Sequence, residues 1–151
     1  MGSYLNPGNK GFQERLNSEI YVDKTGLIEK TNAVLDTRQK FLCVSRPRRF
    51  GKSMAADMLA AYYERGEDAD LLFRSLKISK AESYRAHLNQ YDVIKVNIQE
   101  FLSMTGSMDE MLSMLKKYLV FDLMEHFDDV RFRDESNLIQ VMKDIYAKTK
   151  R

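Results

Sequence analysis

The sequence predicts an α/β fold built around a parallel sheet. Two apolar runs, residues 40–45 and 92–98, are predicted as parallel strands of one sheet. The first run has four apolar residues in succession (FLCV), and a central parallel strand is apolar on both faces in this way. Before, between and after the two runs, apolar residues recur at helical spacing. This alternation of strands and helices indicates helices packed on a parallel sheet.

The chain of 151 residues has a length that suits one domain with its own core. We predict a lead-in over residues 1–39 and an α/β core with helical segments over residues 40–151. The lead-in begins irregularly because proline and glycine are frequent in its first dozen residues, and Asp23 is predicted to cap a helix. Helices are predicted over 52–64, in short stretches near 69–76 and 83–89, from the capping box Ser107–Glu110 onward, and over 137–147.

Composition excludes several classes of protein. Hydrophobic residues make up 44% and charged residues 30%, which is typical of a globular protein and too apolar for disorder. The net charge of +2 does not indicate nucleic acid or an anionic membrane as the main partner. Cys43 is the only cysteine, so the sequence has no disulfide framework, and no apolar run reaches the ~20 residues that span a bilayer. We expect a cytoplasmic protein without membrane contact.

The most informative segment follows the first predicted strand. Residues 45–53 (SRPRRFGKS) end with Gly51, Lys52 and Ser53, the second half of the phosphate-binding pattern G-x-x-x-x-G-K-[ST]. Glycine lets the backbone approach a phosphate, and the following helix directs its positive dipole end at the same place. Lys52 would bind the β and γ phosphates, and the Ser53 hydroxyl suits Mg²⁺. The segment therefore predicts a Walker A-type loop.

This loop supplies all the site residues that we predict. ATP would bind with Mg²⁺, Lys52 would be the catalytic residue of an intact site, and Ser53 would be the metal ligand. The predicted nucleotide-binding residues are consecutive: Arg46, Pro47, Arg48, Arg49, Phe50, Gly51, Lys52, Ser53 and Met54. The alternative interpretation is a solvated basic turn before a helix.

One residue departs from the pattern. Arg46 occupies the position of the first glycine, where a positive φ would strain an arginine, and Pro47 stiffens the start of the loop.

Three residues outside the loop have both a structural and a nucleotide-binding interpretation. Asp23 and Tyr21 are predicted as a helix cap and a core residue, with a nucleotide contact as the alternative. Asn97, at the end of the second predicted strand, is a candidate for the site because ligands of α/β proteins lie at strand ends.

Three strings of residues resemble the AAA-ATPase-like family of bacterial P-loop proteins. They are residues 21–28 (YVDKTGLI), 45–53 (SRPRRFGKS) and 91–94 (YDVI), and the pairs Tyr62-Tyr63 and Leu72-Phe73 also fit. The family tolerates arginine at the first-glycine position. The resemblance implies a P-loop NTPase-type, three-layer fold with a parallel sheet.

The resemblance also implies more than this chain contains. Family members are longer, and after a helix like 137–147 they continue into the Walker B strand, which ends in acidic residues. The chain is therefore expected to be the N-terminal part of such an ATPase, with an incomplete fold. Members are often fused to a restriction-endonuclease-like nuclease domain, which implies nucleic-acid processing or defence in the full-length protein. Asp92 and Asp122 are the candidate substitutes for the Walker B acid. Neither fits that role well, because Asp92 precedes a predicted strand instead of ending one and Asp122 lies within a helical pattern.

Two functions follow for the chain. The first is ATP binding as part of an ATPase, with little or no turnover by these residues alone. The alternative is a non-catalytic nucleotide-binding or protein-interaction module. A third interpretation, direct nucleic-acid contact by the arginines, is disfavoured by the low net charge. The expected partners are ATP or ADP, nucleic acid only through a C-terminal domain absent here, and a second copy of the chain if self-association covers an open apolar edge.

Overall fold

The computed structural model describes residues 3–45, 47–49 and 51–150. These residues fall into two compact units, one made of the described parts of 1–7 and 94–151 and the other of 8–93. Among the described residues, no helix is long and apolar enough to cross a membrane. The helices are α1 (Lys10–Leu16), α2 (Gly26–Val34), α3 (Lys52–Tyr63), α4 (Asp70–Phe73), a 3-10 helix (Lys77–Lys80), α5 (Tyr84–His87), α6 (Ile98–Met104), α7 (Met108–His126) and α8 (Leu138–Thr149).

The prediction of an α/β fold with a parallel sheet is wrong for this structure. The described residues form no sheet, and their β-structure consists of two isolated bridges, Leu5 with Ile94 (antiparallel) and Glu64 with Tyr91 (parallel). The predicted strand 40–45 has no regular secondary structure over its described residues, and Phe41 is 86% exposed. The predicted strand 92–98 contains one bridge residue, Ile94, and ends inside α6.

The physical reason is that a strand needs a partner. An apolar run becomes a strand only when a neighbouring segment accepts and donates its backbone hydrogen bonds. Within the described part of the chain, residues 41–45 pair with no other segment, so Phe41, Leu42 and Val44 stay exposed. An apolar run in the sequence does not reveal whether such a partner lies nearby. Self-association that would cover this segment stays a prediction.

The unit of residues 8–93 is helical and has an aromatic core. The helix predicted over 52–64 is confirmed as α3, but it packs on α1 and not on a sheet. The Phe12 ring of α1 is buried and stacks on the Phe73 ring with centroids 4.8 Å apart. At the surface of the contact between α1 and α3, Arg15 of α1 forms an ion pair with Asp57 of α3 at 3.1 Å. The core residues are Phe12, Ile28, Met58, Ala61, Tyr62, Ala69, Phe73, Ile78, Tyr84 and Leu88.

Helix α2 is held in this unit by a buried polar network. The Thr31 hydroxyl lies 2.5 Å from the Tyr63 hydroxyl of α3, which also donates to the Asn32 side-chain oxygen at 2.6 Å. The Asn32 amide in turn donates to the hydroxyls of Tyr62 and Ser83. Because buried polar groups are costly when unpaired, this network fixes α2 against the C-terminal half of α3.

The unit that contains α6, α7 and α8 is tied together by Asp122. This α7 carboxylate accepts backbone N–H bonds from Ser3, Tyr4 and Leu5 at 3.0, 2.9 and 2.8 Å. The predicted start of α7 is confirmed, because the Ser107 hydroxyl accepts the Glu110 N–H at 3.2 Å. The Glu110 carboxylate bonds the N–H of Gly106 at 3.0 Å instead of the Ser107 N–H of a standard capping box.

Candidate functional site

The N-terminus of α3 presents backbone donors that the helix itself does not pair. Gly51 is the N-cap residue, with φ 82° and ψ 22°, and its position has no side-chain cap. The first backbone bond of the helix runs from the Ala55 N–H to the Gly51 carbonyl at 2.9 Å. The N–H groups of Lys52, Ser53 and Met54 therefore have no partner within the helix, and they lie at its positive dipole end. This arrangement favours an anion.

The backbone before α3 adds to this arrangement. Arg49 takes a left-handed conformation with φ 65°, as Gly51 does with φ 82°. Left-handed residues next to right-handed or turn residues turn successive N–H groups toward one point, which is the geometry of an anion-binding nest. For a non-glycine residue such a φ is uncommon and often marks a functional loop.

A cavity of about 900 Å³ opens beside the N-terminus of α3. That volume falls in the range of ligand sites in proteins. One side of the cavity comes from α2 and the other from the start of α3, and Val44 of the extended segment before the loop also contributes. The lining combines three lysines, one acid (Glu29) and apolar residues: Lys24, Gly26, Leu27, Glu29, Lys30, Ala33, Val44, Gly51, Lys52 and Ala55.

Lys24 is the cation that approaches the loop glycine. Its Nζ atom lies 3.5 Å from the position that a Cβ atom would take on Gly51. The neighbours of Lys24 are fixed by hydrogen bonds: Asp23 accepts the Thr25 N–H at 2.9 Å and the Thr25 hydroxyl at 2.6 Å, and its other oxygen accepts the Lys77 N–H at 2.7 Å. The start of α2 is thereby joined to the 3-10 helix.

The pKa of Asp23 is consistent with its role in linking the start of α2 to the 3-10 helix. Burial raises the pKa of the Asp23 carboxyl, but the hydrogen bonds from Thr25 and Lys77 outweigh it, so the pKa lies below its usual value of 3.8. Asp23 precedes the N-cap residue of α2, which is Thr25, so it braces the start of the helix without being its N-cap. Tyr21 packs edge-on against the Phe12 ring, with centroids 6.1 Å apart, as a core residue.

The residues predicted for nucleotide binding are placed as follows. Arg46 and Phe50 lie outside the described residues. Gly51 and Lys52 line the cavity. Pro47, Arg48, Arg49 and Ser53 are exposed, and Met54 is half-buried in the first turn of α3. The nucleotide and metal roles of these residues stay predictions.

The two candidate acids for the Walker B role have other partners. Asp92 accepts from the Arg65 guanidinium at 2.7 Å, and Asp122 holds the N-terminal segment of the other unit. Asn97, a candidate ligand, caps α6 by accepting the Gln99 N–H at 3.2 Å. The described residues contain no cluster of three or more histidine, cysteine, aspartate or glutamate side chains that could hold a metal ion.

Sequence reasoning missed the α2 side of the cavity. Gly26, Glu29, Lys30 and Ala33 follow the spacing of one helix face, and that spacing was a usable signal. Periodicity analysis searches for apolar residues, and this face is mixed in character, so it did not stand out. Residues 21–28 carried the family resemblance, but nothing in the sequence indicated that they lie beside the loop.

The class of protein is now clear from comparison with known families. The chain matches the AAA-ATPase-like family, described as predicted AAA-ATPases, over residues 8–151. It therefore belongs to this family, which is consistent with an ATPase-like, nucleotide-binding role. Searches of curated proteins and of solved structures found no significant match.

Proposed function

We propose that the chain binds ATP, together with Mg²⁺, in the cavity between α2 and the N-terminus of α3. The observation that carries this proposal is the pairing of an uncapped, left-handed glycine at Gly51 with a cavity of about 900 Å³ that contains Lys24, Lys30 and Lys52. Membership in a family of predicted AAA-ATPases supports ATP as the ligand.

The two kinds of lining match the two ends of a nucleotide. The phosphates would lie at the start of α3, where free N–H groups, the helix dipole and the Lys52 ammonium all favour negative charge. The base would lie against the apolar part of the lining, which includes Leu27, Val44 and Ala55. The whole stretch from Arg46 to Met54 is proposed as the phosphate-binding segment.

The residues present fit a magnesium–nucleotide complex. Mg²⁺ keeps several waters and is usually bound through one or two protein oxygens together with the phosphates of its substrate. Ser53 is exposed in the first turn of α3, directly after Lys52, so its hydroxyl is proposed as the protein ligand. Bound there, Mg²⁺ would neutralise charge on the phosphates and hold them for Lys52.

We propose binding without appreciable hydrolysis by these residues. Phosphoryl transfer needs an acid that anchors the metal and orients a water molecule, besides the phosphate clamp. Asp92 is engaged by Arg65, and Asp122 is engaged by three backbone N–H groups. The alternative of a non-catalytic nucleotide-binding module is therefore favoured for this chain. Nucleic-acid processing, and the nuclease domain that would perform it, stay predictions from the family resemblance.

Titration calorimetry with MgATP tests this function. Lys52→Ala removes a charge-assisted contact of about 1.5–3 kcal/mol, so we expect its affinity to fall by roughly tenfold to a hundredfold. Lys10→Ala is the matched control, because Lys10 is an exposed lysine of the same unit that pairs weakly with Glu14 at 4.0 Å. Equal affinities of wild type and Lys52→Ala would place the nucleotide elsewhere.

A further inference from the structure

The start of α2 brings a second lysine to the phosphate-binding loop. Lys24 lines the same cavity as Gly51 and Lys52, and its Nζ atom lies 3.5 Å from the position that a Cβ atom would take on Gly51. A phosphate bound at the N-terminus of α3 would therefore share the cavity with the ammonium groups of Lys24 and Lys52.

The structure explains why Lys24 is held at this place. The carboxylate of Asp23, one residue earlier, accepts from both the N–H and the hydroxyl of Thr25, one residue later. The Thr25 hydroxyl also accepts the Ile78 N–H at 3.1 Å, and Thr25 is fully buried. The backbone of Lys24 is thus fixed between two anchored neighbours, while its side chain is exposed to the cavity.

We infer that Lys24 is a phosphate-binding residue that acts with Lys52, and that the site selects ligands with two or more linked phosphates. This inference rests on the proposed function. Two ammonium groups in one cavity repel each other, and a ligand with more negative charge offsets this repulsion better than a ligand with less. A diphosphate or triphosphate carries more negative charge than a single phosphate. A diphosphate or triphosphate chain supplies charge along its length, so each lysine can bind a different phosphate.

The inference is tested by titrating MgATP, MgADP and AMP into wild type, Lys24→Gln, Lys24→Arg and Lys52→Gln. We expect Lys24→Gln to weaken MgATP and MgADP by about tenfold to a hundredfold, the usual effect of losing a charge-assisted contact. AMP should bind weakly to wild type and change by less than about threefold in Lys24→Gln. Lys24→Arg keeps the cation and should recover most of the MgATP affinity.

Lys10→Gln serves as the control for removing one positive charge from the unit, and it should leave MgATP binding unchanged. Circular dichroism checks that each variant keeps its helices, which is expected because Lys24 is exposed. The inference would be overturned if Lys24→Gln bound MgATP like wild type while Lys52→Gln lost it, and the proposed site would then stand without Lys24. Equal weakening of AMP and MgATP would also overturn it. A wild type that binds none of the three ligands would overturn both this inference and the proposed function.

Discussion

The Lys24 ammonium lies 3.5 Å from the Cβ position of Gly51. This approach joins the starts of α2 and α3, two segments that are separated in the sequence by the exposed run 41–45. Lys24 belongs to no phosphate-binding pattern, yet it stands beside the glycine of one. The proposed phosphate-binding surface of this chain is therefore built from two helix starts, and several properties of the chain should reflect this.

Gly51→Ala should impair both folding and nucleotide binding. A residue with a side chain pays roughly 1–2 kcal/mol in the left-handed region, and Gly51 has φ 82°. The added Cβ would be in ordinary van der Waals contact with Lys24 Nζ, at 3.5 Å, and would take up space at the proposed phosphate site. We expect a loss of about 1 kcal/mol or more in the free energy of unfolding, measured by urea denaturation, together with weaker MgATP binding. Gly66→Ala is the control, because a Cβ there meets nothing within 4 Å. An equal effect of the two substitutions would contradict this account.

Asp122→Ala should destabilise the unit that contains α7. The substitution leaves the N–H groups of Ser3, Tyr4 and Leu5 without their acceptor, and an unsatisfied buried group costs about 1–3 kcal/mol. We expect a loss of at least that size in urea denaturation at neutral pH. Asp128→Asn, at an exposed aspartate just beyond the same helix, should have little effect. A neutral Asp122→Ala would show that the N-terminal segment is held by other contacts.

Stability should fall at low pH through the same residue. Burial raises the pKa of Asp122, but the backbone hydrogen bonds from Leu5, Tyr4 and Ser3 outweigh it, so the folded pKa lies below the usual 3.8. The folded state therefore favours the ionised carboxylate. The stability that the ionised Asp122 carboxylate contributes is complete above pH 3.8 and is lost as the pH falls through the folded pKa. Urea denaturation across this range should show a smaller loss in Asp122→Asn than in wild type.

Phe12→Ala should unfold much of the unit of residues 8–93. Phe12 is 1% exposed and stacks on Phe73, and replacing a buried phenylalanine by alanine costs about 3–5 kcal/mol. We expect the midpoint of thermal unfolding to fall clearly, as measured by circular dichroism. Phe41→Ala is the matched control, because Phe41 is 86% exposed. If both changes had the same effect, the core described here would be wrong.

Asp23→Ala should act on the site through Lys24. The substitution removes the acceptor of the Thr25 N–H, the Thr25 hydroxyl and the Lys77 N–H, so the start of α2 loses its link to the 3-10 helix. We expect a loss of about 1–3 kcal/mol in stability and a weaker affinity for MgATP than wild type shows. Glu19→Gln, an exposed acid nearby in the sequence, is the control for the change in charge. Unchanged MgATP binding by Asp23→Ala would mean that Lys24 does not depend on this brace.

The chain should release phosphate from ATP no faster than its Lys52→Ala variant does. The proposed phosphate site has Gly51 and Lys52, but Asp92 is paired with Arg65 at 2.7 Å, and Asp122 is engaged by the backbone N–H groups of Ser3, Tyr4 and Leu5. A phosphate-release assay with saturating MgATP measures this directly. Turnover that depends on Lys52 would contradict the prediction, and Glu29 of the cavity lining would be the first acid to substitute.

Much of the helical structure was predictable because it depends on neighbours in the sequence. α3, α7 and α8 follow the apolar spacing of their own residues, and the Ser107 cap of α7 needs only the residues that follow it. α1 was missed, since proline and glycine nearby indicated an irregular segment. Its Phe12 is buried by residues far along the chain, among them Phe73, on which its ring stacks.

By itself, the sequence determined the positions of α3, α7 and α8, and it determined that glycine, lysine and serine stand at the start of α3. These features follow from interactions within a few residues. Tertiary structure decided the rest. The run at 41–45 is exposed because a strand depends on a distant partner that the described residues do not provide. Lys24 reaches Gly51 because the packing of α2 and its bracing by Asp23 bring two distant segments together. Such contacts depend on the folded arrangement of the whole unit, which no local pattern encodes.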